Sequence, residues 1–202
     1  LKIILQADGD GTLYIADVTA ATDVRKMVDD IVAKYGKIDI LHNNVGGWMR
    51  DPRDTVTQDS EAEWDGLIGL NLKSTFLVSK EVIPHMIRNG GGSIINTITT
   101  DAYMTYVGCE AYAAAKGGVR ELTRAMCLDY AKYNIRVNGL APGETRTPQW
   151  EASVEAARNP EEAREAYRRR IPMGRLAEPE DIALGALCLA SEDARYVNGH
   201  IL

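Results

Sequence analysis

Three apolar runs, at residues 38–43, 93–99 and 135–140, are each separated from the next by a long stretch with helical periodicity. Antiparallel strands can be joined by a two-residue turn, whereas parallel strands need a crossover of a dozen or more residues. The spacing therefore predicts βαβ units. One helix is expected over residues 22–35, where Val24, Met27, Val28, Ile31, Val32 and Tyr35 recur at helical intervals and Gly36 follows as a stop. A second is expected over 60–89, strained by Gly66, Gly69 and Pro84, and a third over 110–133. Two more are expected over 160–170 and 179–191, the latter with Pro179 in its first turn beside Glu180 and Asp181. Residues 12–17 read as a short strand ahead of this series. The pattern is that of a Rossmann-like, doubly wound α/β fold: a mainly parallel sheet, helices on both faces, three layers, and a single domain over 1–202.

Composition narrows the partners. A net charge of −6 and a pI near 5.2 argue against nucleic acid or an anionic membrane, since phosphate contacts need clustered Lys and Arg. The run Arg168-Arg169-Arg170 ends a predicted helix, where it complements the negative end of the helix dipole. No apolar run approaches the ~18 residues of a membrane span, and no signal-like segment opens the sequence. Cys109, Cys127 and Cys188 are scattered, as are His42, His85 and His200, so neither a disulfide framework nor a metal site is expected. A cytoplasmic setting is the default for such cysteine usage.

Open α/β sheets bind ligands outside the carboxyl ends of their strands. Here those ends read Asn43-Asn44-Val45-Gly46, Thr99-Thr100 and Ala141-Pro142-Gly143. All are small, polar or glycine residues that suit close approach by a ligand, although any one alone could be an ordinary turn. Tyr112 and Lys116 stand four apart near the start of the 110–133 helix and so share one face. An ammonium beside a phenol favours the phenolate, and a phenol so tuned can exchange a proton with an alcohol oxygen. Taken alone, the pair could equally be an exposed helix pair.

Its surroundings change that reading. Asn43-Asn44-Val45-Gly46, Gly92-Ser93-Ile94-Ile95-Asn96, Tyr112-Ala113-Ala114-Ala115-Lys116 and Ile135-Arg136-Val137-Asn138 occur in order. Pro142-Gly143 with Thr147, Pro172-Met173-Gly174-Arg175 and Glu178-Pro179-Glu180-Asp181 follow. Together they resemble the classical short-chain dehydrogenase/reductase family over nearly the whole chain. The resemblance implies an oxidoreductase that moves a hydride between NAD or NADP and an alcohol or ketone. Tyr112 would be the acid/base, Lys116 would lower its pKa and bind the nicotinamide ribose, and Thr99 would stand where the family has a serine. Asn71 would hold a water in a proton relay, unless it is only a helix-kink residue. Asp17 would meet the adenine, unless it merely caps the next segment. The backbone of Asn43, Asn44, Val45 and Gly46 would run beside the adenosine ribose. Pro142, Gly143, Thr145 and Thr147 would lie at the nicotinamide, the last two on its carboxamide. A homo-oligomer, tetramer or dimer, is implied as well.

The sequence departs from the family pattern in two places. Threonine at 99 keeps the hydroxyl but adds a methyl group, with Thr100 next door as a substitute if the register differs. Only sixteen residues precede Asp17, and Gly9 and Gly11 do not form the family's glycine-rich loop. The N-terminal βαβ portion and the last strand, entered at Gly199-His200-Ile201-Leu202, are thus expected to be incomplete. NAD and NADP cannot be distinguished without that portion. Trp48, Tyr103, Met104, Tyr106, Cys109, Trp150 and the 147–170 segment are candidates to line the substrate pocket, unless several of the aromatics are simply core. That lining suggests a neutral, moderately hydrophobic alcohol or ketone. A lyase or dehalogenase on the same fold is the first alternative, disfavoured by Lys116, and a non-catalytic scaffold is the second.

Overall fold

A computed structural model of the protein describes residues 4, 6, 8–47 and 55–202. Helix α1 (Ala21–Tyr35) buries Val24 and Val28 and ends where Gly36, at φ +81°, returns its N–H to Val32 O. Strand β1 (Ile40–Asn43) follows. Helix α2 (Glu61–Ile68) begins with a capping box: Ser60 Oγ accepts from Glu63 N, and Glu63 accepts from Ser60 N. After a π-helical turn at Gly69–Lys73 come α3 (Ser74–Arg88), β2 (Gly92–Thr97), α4 (Glu110–Tyr130) and β3 (Ile135–Leu140). Helices α5 (Pro148–Glu155), α6 (Pro160–Arg170) and α7 (Pro179–Ala190) complete the order.

The sheet is parallel in the order β1-β2-β3, with Ile40 opposite Ser93 and Gly92 opposite Ile135. Residues 199–202 extend it in parallel beyond β3. Gly139 N donates to His200 O and Ala141 N to Leu202 O, each at 2.8 Å. Alternation sends successive residues to opposite faces. Ile94, Ile135 and Val137 join α1, α3 and α4 through Val24, Val28, Val82, Met86 and Met126. Ile95 and Leu140 pack on the other face against Leu189 of α7. The three-layer αβα expectation is thus met, and the strand carboxyl ends share one rim.

Two expectations need correction, and one helix was not foreseen. Residues 12–17 form no strand: Leu13 and Ile15 are exposed, and no strand among the described residues pairs with them. Their two-residue periodicity is real, but a strand needs a neighbour for its backbone. Side chains tie the segment to α1 instead, with Thr12 hydrogen-bonded to Tyr35 and Tyr14 to Asp30. The expected 60–89 helix is interrupted rather than continuous. At the π turn Ser74 N reaches back five residues to Gly69 O, and Asn71 Nδ2 donates to Leu67 O. Helix α5 was not legible as a separate element, although Thr147 as N-cap before Pro148 is the signal that announces it.

Candidate active site

Asn71, Thr99 and Lys116, all buried, converge with Tyr112 at the rim. The π turn matters here because it carries Asn71 inward. Asn71 Nδ2 donates to Gly47 O at 2.9 Å, and its Oδ1 accepts from Gly47 N at 3.0 Å. This pair clamps the loop that leaves β1 to the α2–α3 junction. Lys116, only 4% exposed, donates from Nζ to Thr97 O at 2.8 Å. A Cβ on Gly46 would lie 2.7 Å from Asn71 Oδ1 and 3.2 Å from Lys116 Nζ, so glycine is what lets the backbone pass this close.

Thr99 caps the short 3₁₀ turn at Thr100–Ala102. Its Oγ1 accepts from Asp101 N at 3.3 Å, lies 3.2 Å from Asp101 Oδ2, and is close enough to the Tyr112 phenol to favour its ionised form. The spacing of thirteen residues between Thr99 and Tyr112 is therefore closed in space, and Thr99 rather than Thr100 meets the phenol. Thr100 N is instead bonded to Pro142 O, which stitches the β2 and β3 ends together.

The electrostatics differ from the expectation. Burial, followed by the charges of Asp101 and Cys109, pushes the Tyr112 phenol up to about 12. Lys116 does not counter this. Its Nζ is turned to Thr97 O, 5.9 Å from the Tyr112 ring centre, and burial brings the amine down to about 8. The site thus holds a protonated phenol at neutral pH, with a lysine whose proton is weakly held. Asp101 and Glu144 are both raised, chiefly by burial, and Arg170 from the end of α6 pulls each back. Sequence reasoning missed this carboxylate pair. The signals available were an aspartate two residues after Thr99, a turn-forming arrangement, and a glutamate directly after Pro142-Gly143.

The expected cofactor-side residues have these positions. Asn43 points inward: its Nδ2 donates to Ser79 Oγ and Asn96 Oδ1, and Asn96 donates to Thr123 Oγ1. Asn44 is exposed at the rim and accepts from Thr97 Oγ1. Val45 is exposed, and nothing near Gly143 but Thr100 would touch an added Cβ, at 3.8 Å. Pro142 and Thr145 sit on the same rim, Thr145 Oγ1 donating to Gly143 O. Thr147 Oγ1 accepts from Trp150 N as the α5 cap. Asp17 is exposed, and bonds from the Thr19 hydroxyl and N–H hold its carboxylate below the usual range.

The substrate-lining expectations fare less well. Trp150 packs into a small core with Val154 and Leu176 and meets Tyr167 edge-on at 5.5 Å. Cys109 is buried, with Thr105 and Tyr106 close to its thiol. Both support loops or helices rather than line an open cleft. Met104 is exposed, Tyr103 lies beneath the Arg120 guanidinium, and Trp48 falls outside the described residues. An open depression of about 490 Å³ lies beside the first turn of α4, bounded by Thr55, Thr57, Tyr106, Glu110 and Ala113. It borders Tyr112 only through Ala113, so the reactive groups are not inside it. Among the described residues no cluster could hold a metal, and no helix is long and apolar enough to cross a membrane.

The polar cradle fits a nicotinamide cofactor. Lys116 uses one of its three N–H donors on Thr97 O, and Gly46 brings backbone without a Cβ beside it. Comparison with known proteins agrees. A family model described as enoyl-(acyl carrier protein) reductase matches residues 3–202. A 3-oxoacyl-[acyl-carrier-protein] reductase of Thermotoga maritima is 39% identical over 189 residues, covering 94% of this chain and 73% of the relative. A 7α-hydroxysteroid dehydrogenase, solved with NADH and 7-oxo glycochenodeoxycholic acid, superposes with a TM-score of 0.89 at 33% identity. That match covers 100% of this chain and 75% of the other. An NAD⁺-bound xylitol dehydrogenase gives 0.91 at 28% identity, covering 98% and 80%.

Proposed function

This chain belongs to the short-chain dehydrogenase/reductase family of oxidoreductases acting on CH–OH groups, and on that premise we propose that Tyr112 is its acid/base, working on a neutral alcohol or ketone. The observation that carries the reading is the convergence of Thr99 and Tyr112, close enough for the threonine hydroxyl to act on the phenol, with Lys116 one helical turn beyond. NAD or NADP, when bound, supplies or accepts the hydride. The residues of the chain do the rest. A carbonyl oxygen placed between Thr99 and Tyr112 accepts from both hydroxyls, and the neutral phenol gives its proton to that oxygen as the alcohol forms. In the reverse direction the phenol must first lose its proton, and Lys116, with its amine held near 8, is the adjacent group able to take part. Gly46 and the uncommitted Lys116 N–H groups would receive the ribose, and Pro142, Gly143, Thr145 and Thr147 would border the nicotinamide. Asn71, whose side chain clamps the Gly47 backbone beside Lys116, would hold the relay water.

The charge of Asp101 acts on the phenol and disfavours an anionic group next to the reacting carbon, which supports a neutral substrate. Phe76 and Leu128, exposed on α3 and α4, are consistent with the homo-oligomer, and light scattering on the purified protein measures it. The decisive variant is Tyr112→Phe. Turnover should fall about 10²- to 10⁴-fold, while NADH binding, followed by its fluorescence, persists. An unchanged oxidoreductase rate would sink the assignment.

A further inference from the structure

Thr99 has one hydroxyl proton and more than one claim on it. Its Oγ1 is within hydrogen-bond distance of Asp101 Oδ2, accepts from the Asp101 backbone N–H, and acts on the nearby Tyr112 phenol. An ionised carboxylate is a stronger acceptor than a phenol or a ketone. A substrate oxygen seated between Thr99 and Tyr112 needs that same proton. We propose that Asp101 is the positioning residue of this site: ionised, it holds the Thr99 proton away from the substrate oxygen, and neutral, it releases it.

The geometry is specific to one turn. The backbone N–H of Asp101 fixes Thr99 Oγ1 from one side while its carboxylate draws the proton from the other. The charge of Asp101 also acts on the phenol, where it is the largest influence after burial. The groups facing Asp101 are Arg170 from the end of α6, Glu144 beyond β3, and the Tyr106, Cys109 and Tyr112 side chains. Those facing Tyr112 are Thr99, Asp101 and Cys109, with Lys116 on its own helix. Arg170 opposes the burial that favours neutral Asp101, so α6 and the β2 end together set the balance.

This inference rests on the Tyr112 reading, and the test separates the two. Asp101→Asn removes the charge and keeps the shape. The pH at which kcat/KM for alcohol oxidation levels off should then move down by about one unit or more, the usual effect of deleting a nearby like charge. Asp101→Ser must move it in the same direction, which covers the case in which the asparagine variant folds poorly. Glu144→Gln should move it less than either. With ¹³C-labelled tyrosine, the resonance missing from Tyr112→Phe should begin to titrate at lower pH in Asp101→Asn. If neither profile nor resonance moves while Tyr112→Phe is inactive, Asp101 has no such role and the Tyr112 reading survives. If Tyr112→Phe is active, both fall.

Discussion

Replacing Lys116 by Met should stabilise the cofactor-free protein at pH 7 while abolishing turnover. The amine is 4% exposed and burial alone accounts for its depression from 10.5 to about 8. At about 1.4 kcal/mol per pKa unit, the charged form carries a penalty of roughly 3 kcal/mol in the folded state. Its bond to Thr97 O returns about 1 kcal/mol, so Met, which keeps the apolar stem, should gain about 2 kcal/mol. For a chain of this size that is a rise in Tm of about 4–8 °C. Linkage gives the pH dependence. Between about 8 and 10.5 the folded lysine has lost the proton that the unfolded one retains, so native stability rises with pH over that window. Lys116→Met lacks this rise, and the two proteins should converge near pH 10. Above that, the raised Tyr112 works the other way in both: the unfolded phenol ionises first and stability falls. Urea melts at pH 7, 8, 9 and 10 measure the difference. A native protein more stable than Lys116→Met at pH 7, with a gap that does not change with pH, would refute the reasoning.

Two further outcomes follow from the same cradle. Gly46→Ala places a methyl 2.7 Å from Asn71 Oδ1 and 3.2 Å from Lys116 Nζ, so both must shift. Steady-state kinetics should show kcat/KM down about 10- to 100-fold, and an unaltered value would mean the cradle is not where reactants sit. Asn71→Ala strips the bonds to Leu67 O, Gly47 O and Gly47 N and leaves that N–H without its acceptor. Denaturant titration should show a loss of about 2 kcal/mol.

The fold was legible where periodicity and connection length agree. Strands 135–140 and 92–97 and helices 160–170 and 179–190 lie within a residue or two of their expected bounds. The failures share a cause: a segment's fate depended on a partner elsewhere. Residues 12–17 carry a strand pattern with no neighbour among the described residues to complete it. The glycines at 66 and 69 signalled strain in the 60–89 helix, but the π turn also needs the Asn71 side chain, satisfied by Leu67 O and by Gly47 across the loop. A Cβ at Gly118 would meet Leu72 of that same turn at 2.7 Å, so a glycine there lets α4 approach the turn closely. Asn43 has the motif's place but its side chain is spent on Ser79 and Asn96, so it is the link that holds the β1 end to β2 and α3.

At the site, motif order picked out Thr99, Tyr112 and Lys116, which the fold brings together at one rim, but not the charges around them. A four-residue spacing on a helix implies that Lys116 should acidify Tyr112. The structure gives Lys116 a backbone carbonyl instead and places Asp101, reached only through the turn after β2, against the phenol's neighbour. Local spacing fixes which side chains share a helix face; the field at the phenol is set by groups from separate strand ends and from α6. The direction of the Tyr112 shift therefore belongs to the tertiary fold.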